Sequence, residues 1–165
     1  WVNLPAKKKM IDPKYRGIER EQISMFQKNG VKIKVIAGKV DGTEGPVRDL
    51  AIAIEYFDVE LTPGKVFEHA APKNCTAFAY VVNGSIQVSD KTIIEGQCAA
   101  FGRGDLVKIG SKLGGRFLFA SGAPLREPVA WRGPIVMNTQ EELDKAFEEL
   151  DMGTFIKTKK PVKPS

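Results

Sequence analysis

The sequence predicts a mainly β, antiparallel fold, a β-sandwich or barrel, with one helix close to the C-terminus. Three observations carry this. Short runs rich in Val, Ile and Phe recur between turn pairs such as Pro63-Gly64, Asp90-Lys91 and Glu95-Gly96. The 16 glycines and 10 prolines supply the many turns that such a fold needs. Only the segment after Thr139 combines a helix start signal with a helical apolar stripe. At 165 residues the chain is ample for one domain with a real core, and two domains of full size would not fit.

In chain order, WVNLP (1–5) reads as the end of a strand stopped by Pro5, and a strand end implies a neighbour to pair with. Trp1 stands where a translated chain would begin with methionine, so a processed product or a piece of a longer chain is expected. Residues 7–29 are polar, with a turn at Asp12-Pro13 and room for at most a short helical segment over 18–26. Val31, Ile33 and Val35 alternate with Lys32 and Lys34, which predicts a half-buried strand over 31–36. Residues 38–48 (GKVDGTEGPVR) hold three glycines and a proline and read as a long loop without the spacing of a phosphate-binding loop.

Residues 51–61 (AIAIEYFDVEL) are the strongest strand of the middle region. A second run, 77–82, ends at Asn83-Gly84, which predicts a tight hairpin into 85–88. Short strands follow at 92–94, 97–101, 106–109 and 116–121, parted by turns that include 102–105 and Gly114-Gly115. The stretch 124–134 (PLREPVAWRGP) is too proline-rich for a central strand. Ile135, Val136 and Met137 lead into the helix, where Thr139 and Glu142 form a capping box. Leu143, Ala146, Phe147 and Leu150 make its apolar stripe, and Gly153 is placed to end it.

The net charge of +5 comes partly from Lys7-Lys8-Lys9 and from Lys157, Lys159, Lys160 and Lys163. No aromatic residue is interleaved with them to stack bases, so they read as solvated ends and not as a nucleic-acid interface. No apolar run approaches membrane-spanning length and no signal peptide opens the chain, so a cytoplasmic location without a membrane partner is expected. Cys75 and Cys98 belong to no CxxC or Cys/His cluster, and their apolar surroundings predict buried free thiols. Glu55 and Asp58 are the imaginable acid and base, but their odd spacing on one strand sends them to opposite faces. His69 is the only histidine, with no placed nucleophile to make a triad.

Two glycine-framed blocks, 63–84 and 96–111, resemble the paired motifs of the cupin barrel, in which histidines and a glutamate hold a metal. With Gly64 and Gly84 as frame, that resemblance puts ligand positions at Ala70, Pro72 and Ala77. The frame of Gly96 and Gly104 puts the last at Val107. None of these side chains has a lone pair to offer a metal. The expectation is therefore no metal, catalytic or cofactor-binding residue in this chain. The same positions would serve as packed core, or leave space for a small apolar ligand. His69, one residue from the first position, is expected to point away from the barrel interior as a rim or surface histidine.

WVNLP, KKKMIDPKY, VKIKVIAG and above all the order LREPV…GPIVMNTQEEL resemble the C-terminal half of a pirin, from Trp1 to about Phe155. The resemblance implies a cupin-type (jelly-roll) antiparallel barrel with one C-terminal helix. It implies strands and linker of a preceding cupin domain over 1–50, the barrel and helix over 51–155, and a basic flexible tail over 156–165. Pirins resemble two cupin barrels face to face, with one metal, usually iron, held by the N-terminal barrel. The activities implied for the whole are quercetin (flavonol) dioxygenation in some members and nuclear transcription-cofactor work in others. For this chain the expectation is a metal-free structural or partner-binding module. Its partner would be the N-terminal domain, or a second copy through a homodimer or strand exchange, with the 1–5 and 31–36 strands as docking edge. The alternative is the non-catalytic half of a pirin-type dioxygenase or transcription cofactor that needs the other half.

Overall fold

Alternation decides where the strands run. Val31, Ile33, Val35 and Ala37 are buried while Lys32, Lys34 and Ile36 are only half-buried, so that stretch pairs as a strand with one face inward. The computed structural model describes residues 1–72 and 74–157, in two units: Ile18–Pro124, and Trp1–Gly17 with 125–157. The tail assigned from the sequence lies outside the described residues, apart from Ile156 and Lys157.

The larger unit carries β1 (Ser24–Lys28), β2 (Val31–Ala37), the short pair β3 (Lys39–Val40) and β4 (Thr43–Glu44), β5 (Ile54–Leu61) and β6 (Lys65–Ala70). It continues with β7 (Thr76–Val88), β8 (Lys91–Ile94), β9 (Cys98–Ala100), β10 (Leu106–Ser111) and β11 (Gly115–Gly122). These build a curled antiparallel half-barrel in the order β1-β2-β5-β11-β7-β10-β6, with β8 and β9 also paired to β7. The resemblance to a cupin-type barrel holds at the level of fold.

Phe57, Phe67, Phe117 and Phe119 are fully buried and fill the concave side together with Ile33, Val59, Val81, Ile86 and Ile109. Each such side chain stabilises the fold by about 1.5–3 kcal/mol relative to exposure. On the convex face of β5, Asp58 is held by both nitrogens of an Arg116 fork, Nε to Oδ1 at 2.8 Å and Nη2 to Oδ2 at 2.7 Å. The guanidinium holds the Asp58 carboxyl below the ordinary carboxylate range, against burial and with help from Lys34.

Three expectations change here. Asn83-Gly84 is no hairpin: β7 runs straight through it, and its two halves pair with different neighbours. Residues 76–84 pair with β11 and residues 85–88 with β8, so the pair is the corner where one strand passes between the two halves of the sheet. Val82 is the extra residue of a bulge, since Asn83 pairs with Arg116 and Val81 with Phe117. Gly84 has φ +72°, and a Cβ there would stand 2.8 Å from the Gly114 carbonyl oxygen. Second, the expected 38–48 loop contains the β3–β4 hairpin, turned by Asp41 and Gly42 at φ +47° and +87°. Third, residues 18–26 hold a 3-10 turn at Arg20–Gln22, followed by β1, which Asn29 and Gly30 turn into β2.

The strand expected at residues 1–5 is absent: Trp1 is 81% exposed, with its ring edge-on to Trp131 at 5.7 Å. Pro5 leads into a 3-10 turn, Ala6–Lys8. The expected docking edge also falls, because β2 lies between β1 and β5 with both sides paired. β1 and β2 are strands of the same sheet as β5.

In the smaller unit, β12 (Ala130–Arg132) and β13 (Ile135–Met137) form a hairpin that leads into α1 (Gln140–Asp151). The capping box is made: Glu142 N–H donates to Thr139 Oγ1 at 3.2 Å and Thr139 N–H to Glu142 Oε2 at 3.1 Å. Leu143 and Ala146 are buried against Ile135 and Met137, Phe147 is half-buried under the Arg132 guanidinium, and Leu150 is 48% exposed, outside the expected stripe. The EPV…MNT order has a structural cause. Asn138 Nδ2 donates to Glu127 Oε2 at 3.2 Å and to the Pro128 carbonyl at 2.9 Å, and Glu127 also accepts the Ala6 N–H at 2.7 Å. Gly153, at φ +69°, follows the end of the helix.

Candidate functional site

Among the described residues the concave side of the half-barrel is apolar except at Ser111, which donates to the Ser85 carbonyl, and at one further level. There three polar side chains from three strands meet: Glu55 on β5, His69 on β6 and Ser121 on β11. Glu55 and Ser121 are register partners on neighbouring strands, and Ser121 in turn pairs with Ala77 of β7. His69 pairs with Val107 of β10 at the other end of the sheet order. Because the sheet curls, β6 is brought back across from β5, and His69 Nε2 reaches Glu55 Oε1 at 2.9 Å. Ser121 Oγ donates to the other oxygen of Glu55 at 2.5 Å.

This corrects the expected orientation of His69. Phe67 is 1% exposed, and two residues further along the strand His69 must share its face. The ring is packed among Phe57, Phe67 and Phe119 with centroids 5.1, 5.8 and 5.6 Å away, and its side chain is 11% exposed. Glu68, on the opposite face, points to solvent and pairs with Lys108 at 2.7 Å. The glycine frame had set the interior face one residue too far along, and a slip of one residue exchanges the faces of a strand. Ala70 and Pro72 are accordingly exposed, whereas Ala77 and Val107 lie in the packed interior at 5% exposure. Two of the four positions named from the motif thus flank the polar trio, and the other two do not.

The thiols also differ from expectation. Both are free, but Cys75 is half-buried and Cys98 is exposed, because β9 turns Ala99 inward and Cys98 and Ala100 outward. Glu55 and Asp58 do face opposite sides, as their spacing requires. The trio is not legible as a motif, because its members lie 14 and 66 residues apart. The Phe67-x-His69 alternation was the available signal.

Burial pushes the Glu55 carboxyl up, but hydrogen bonds from His69 and Ser121 and the attraction of the imidazole outweigh it and leave the carboxyl below its ordinary range. The chemistry this permits is narrow. Ser121 donates to the carboxylate and not to the imidazole, and a carboxylate held below its ordinary range is a weak base for drawing the proton from a hydroxyl. One imidazole and one carboxylate are bonded to each other, and among the described residues no group of three or more His, Cys, Asp or Glu side chains converges to hold an ion. A mononuclear iron centre requires several such donors with open positions, which these residues do not fit. The trio is a clasp: it satisfies buried polar groups and ties the last strand of the curl to its middle.

A curled antiparallel sheet with its aromatic residues on the concave side defines a cupin-type domain. The chain belongs to the pirin family: the family model of the pirin C-terminal cupin domain matches residues 56–156. It is 39% identical over 157 residues to a pirin-like protein of Caulobacter vibrioides, covering 94% of this chain and 57% of that protein. It is 36% identical over 153 residues to human pirin, covering 89% and 52%. The crystal structure of a quercetin 2,3-dioxygenase from Acinetobacter baumannii superposes with a TM-score of 0.87 at 29% identity, over 94% of this chain and 55% of that one. The chain therefore spans a little over half the length of these relatives. Among the described residues no helix is long and apolar enough to cross a membrane.

Proposed function

We propose that this chain is a metal-free structural half of a pirin-type assembly, a packed cupin domain whose task is to bind and support a metal-bearing partner domain. The observation that carries the reading is the use of the barrel interior. Where a metal cupin converges its ligands, this one places Ala77 and Val107 beside a self-satisfied Glu55–His69–Ser121 clasp over four buried phenylalanines. Aromatic filling of this kind gives rigidity and leaves no ligand set to complete. The pairing of two facing cupin barrels that the pirin resemblance implies supports a partner, either the N-terminal cupin domain of a pirin or a second copy of this chain.

The dioxygenase named in the Acinetobacter structure supports a second reading, in which the assembled pair oxidises a flavonol such as quercetin with iron bound in the other domain. Here too the chain contributes no donor to the iron. Both readings are tested by light scattering over a concentration series, alone and with a separately produced pirin N-terminal domain, and by quercetin turnover before and after mixing. Self-association or a mixed complex is expected, with turnover only in the mixture if the second reading holds. A strictly monomeric chain that ignores the added domain would remove the partner role, and quercetin turnover by the chain alone would overturn both readings.

A further inference from the structure

In the unit formed by 1–17 and 125–157, a groove of about 410 Å³ lies between residues 6–11 and one face of α1. That volume falls within the roughly 300–1,000 Å³ in which proteins hold small organic ligands. Its accessible apolar surface comes mainly from Met10 and Ile11, 43% and 49% exposed, over a floor formed by the buried Met137 and Ala146. Lys7, Lys9 and Lys145 also line it. The two carboxylates of the lining are already committed. Glu142 Oε2 accepts the backbone N–H groups of Asn138 and Thr139 at 3.0 and 3.1 Å, and Glu149 pairs with Lys157 at 2.5 Å. Four lysines, Lys7, Lys9, Lys145 and Lys157, stand against these two carboxylates, so the lining is net positive.

Lys9 is the sharpest feature. Its Nζ donates to Asn3 Oδ1 at 2.5 Å, a neutral acceptor, and burial pulls its ammonium below the ordinary lysine range despite the attraction of Glu127 and Glu142. A partly desolvated ammonium whose acceptor is neutral gains from an anion that brings a charge-assisted hydrogen bond. A bare inorganic anion would leave the methionine surface wet, and a cation would meet the lysines.

We propose that this groove binds a small amphipathic carboxylate, its hydrocarbon body on Met10 and Ile11 above Met137 and its head at the lysine rim. The four methionines provide the test, because Met10 and Met137 line the groove whereas Met25 on β1 and Met152 beyond α1 do not. Decanoate, kept below its micelle concentration, is titrated into the full chain with ¹³C-labelled methionine methyl groups. Saturable shifts are expected at Met10 and Met137 alone. Lys9→Gln and, on the exposed helix face, Lys145→Gln should each weaken binding by at least about fivefold with the starting methyl spectrum retained, since a hydrogen bond to a charged group is lost. Decyltrimethylammonium, of equal chain length and opposite charge, should give no saturable shift at these two methyls. Unmoved methyls at millimolar decanoate, all four moving together, equal shifts with the cation, or unchanged affinity in both lysine variants would each overturn the assignment.

Discussion

Removing the Glu55 carboxylate should cost far more than a surface substitution, and the cost should depend on pH. In Glu55→Ala, His69 and Ser121 lose their shared acceptor inside an aromatic shell, with the His69 side chain 11% and the Glu55 side chain 19% exposed. Each hydrogen bond to a charged group contributes about 1.5–3 kcal/mol, and breaking a buried pair costs about 3–5 kcal/mol. The residual exposure of Glu55 lets water recover part of this, which sets the expectation at about 2–4 kcal/mol. Glu55→Gln keeps the shape and one acceptor and should cost about half as much. The folded carboxyl lies below its ordinary value of 4.5, so its stabilisation is complete above that value and lost as the pH falls through the folded one. Equilibrium urea unfolding followed by circular dichroism measures the gap between wild type and variant at neutral pH and then down into the acid range. The gap should close on acidification. A penalty below about 0.5 kcal/mol, or a gap equal at both ends of the pH range, would refute the clasp.

Other outcomes follow from the same structure. Gly84→Val should destabilise the larger unit by about 1–3 kcal/mol, read as a lower urea midpoint, because its Cβ would meet the Gly114 carbonyl and its φ is positive. Arg116→Met should cost about 1 kcal/mol at neutral pH, a figure kept low by the 45% exposure of the arginine side chain. That loss should vanish in acid, since Asp58 has its folded pKa lowered and its contribution disappears as the pH falls through it. Thr139→Ala removes a helix cap and should cost about 1 kcal/mol, seen as faster amide exchange in the first turn of α1.

How far the sequence disclosed this fold is clearest at its three Asn-Gly and Asp-Gly pairs. All carry the hairpin signal, yet Asn29-Gly30 and Asp41-Gly42 turn the chain and Asn83-Gly84 does not. What separates them is the phase of the neighbouring apolar residues. Ala77, Ala79 and Val81 are buried before the pair and Ile86 after it, so the inward positions pass from odd to even within one strand. That is the mark of a bulge, and it outweighs the local turn preference. Along 31–37 the periodicity is uninterrupted, and from Thr139 to Gly153 only Leu150 departs from the stripe, so element and boundary are legible almost to the residue. Paired strands such as β1 and β2 depend on partners far along the chain, and only the fold discloses which edge is covered. The clasp is hidden for the same reason, and the glycine frame aims His69 outward where the alternation set by Phe67 aims it inward.

A cupin interior that holds no metal of its own should stay empty when iron is offered. The most direct test is to incubate the purified untagged chain anaerobically with excess ferrous iron, desalt it, and determine bound metal by elemental analysis. Less than about a tenth of an equivalent is expected, because His69 and Glu55 satisfy each other and, among the described residues, no third donor joins them. Near-stoichiometric iron, lost in His69→Ala, would contradict it.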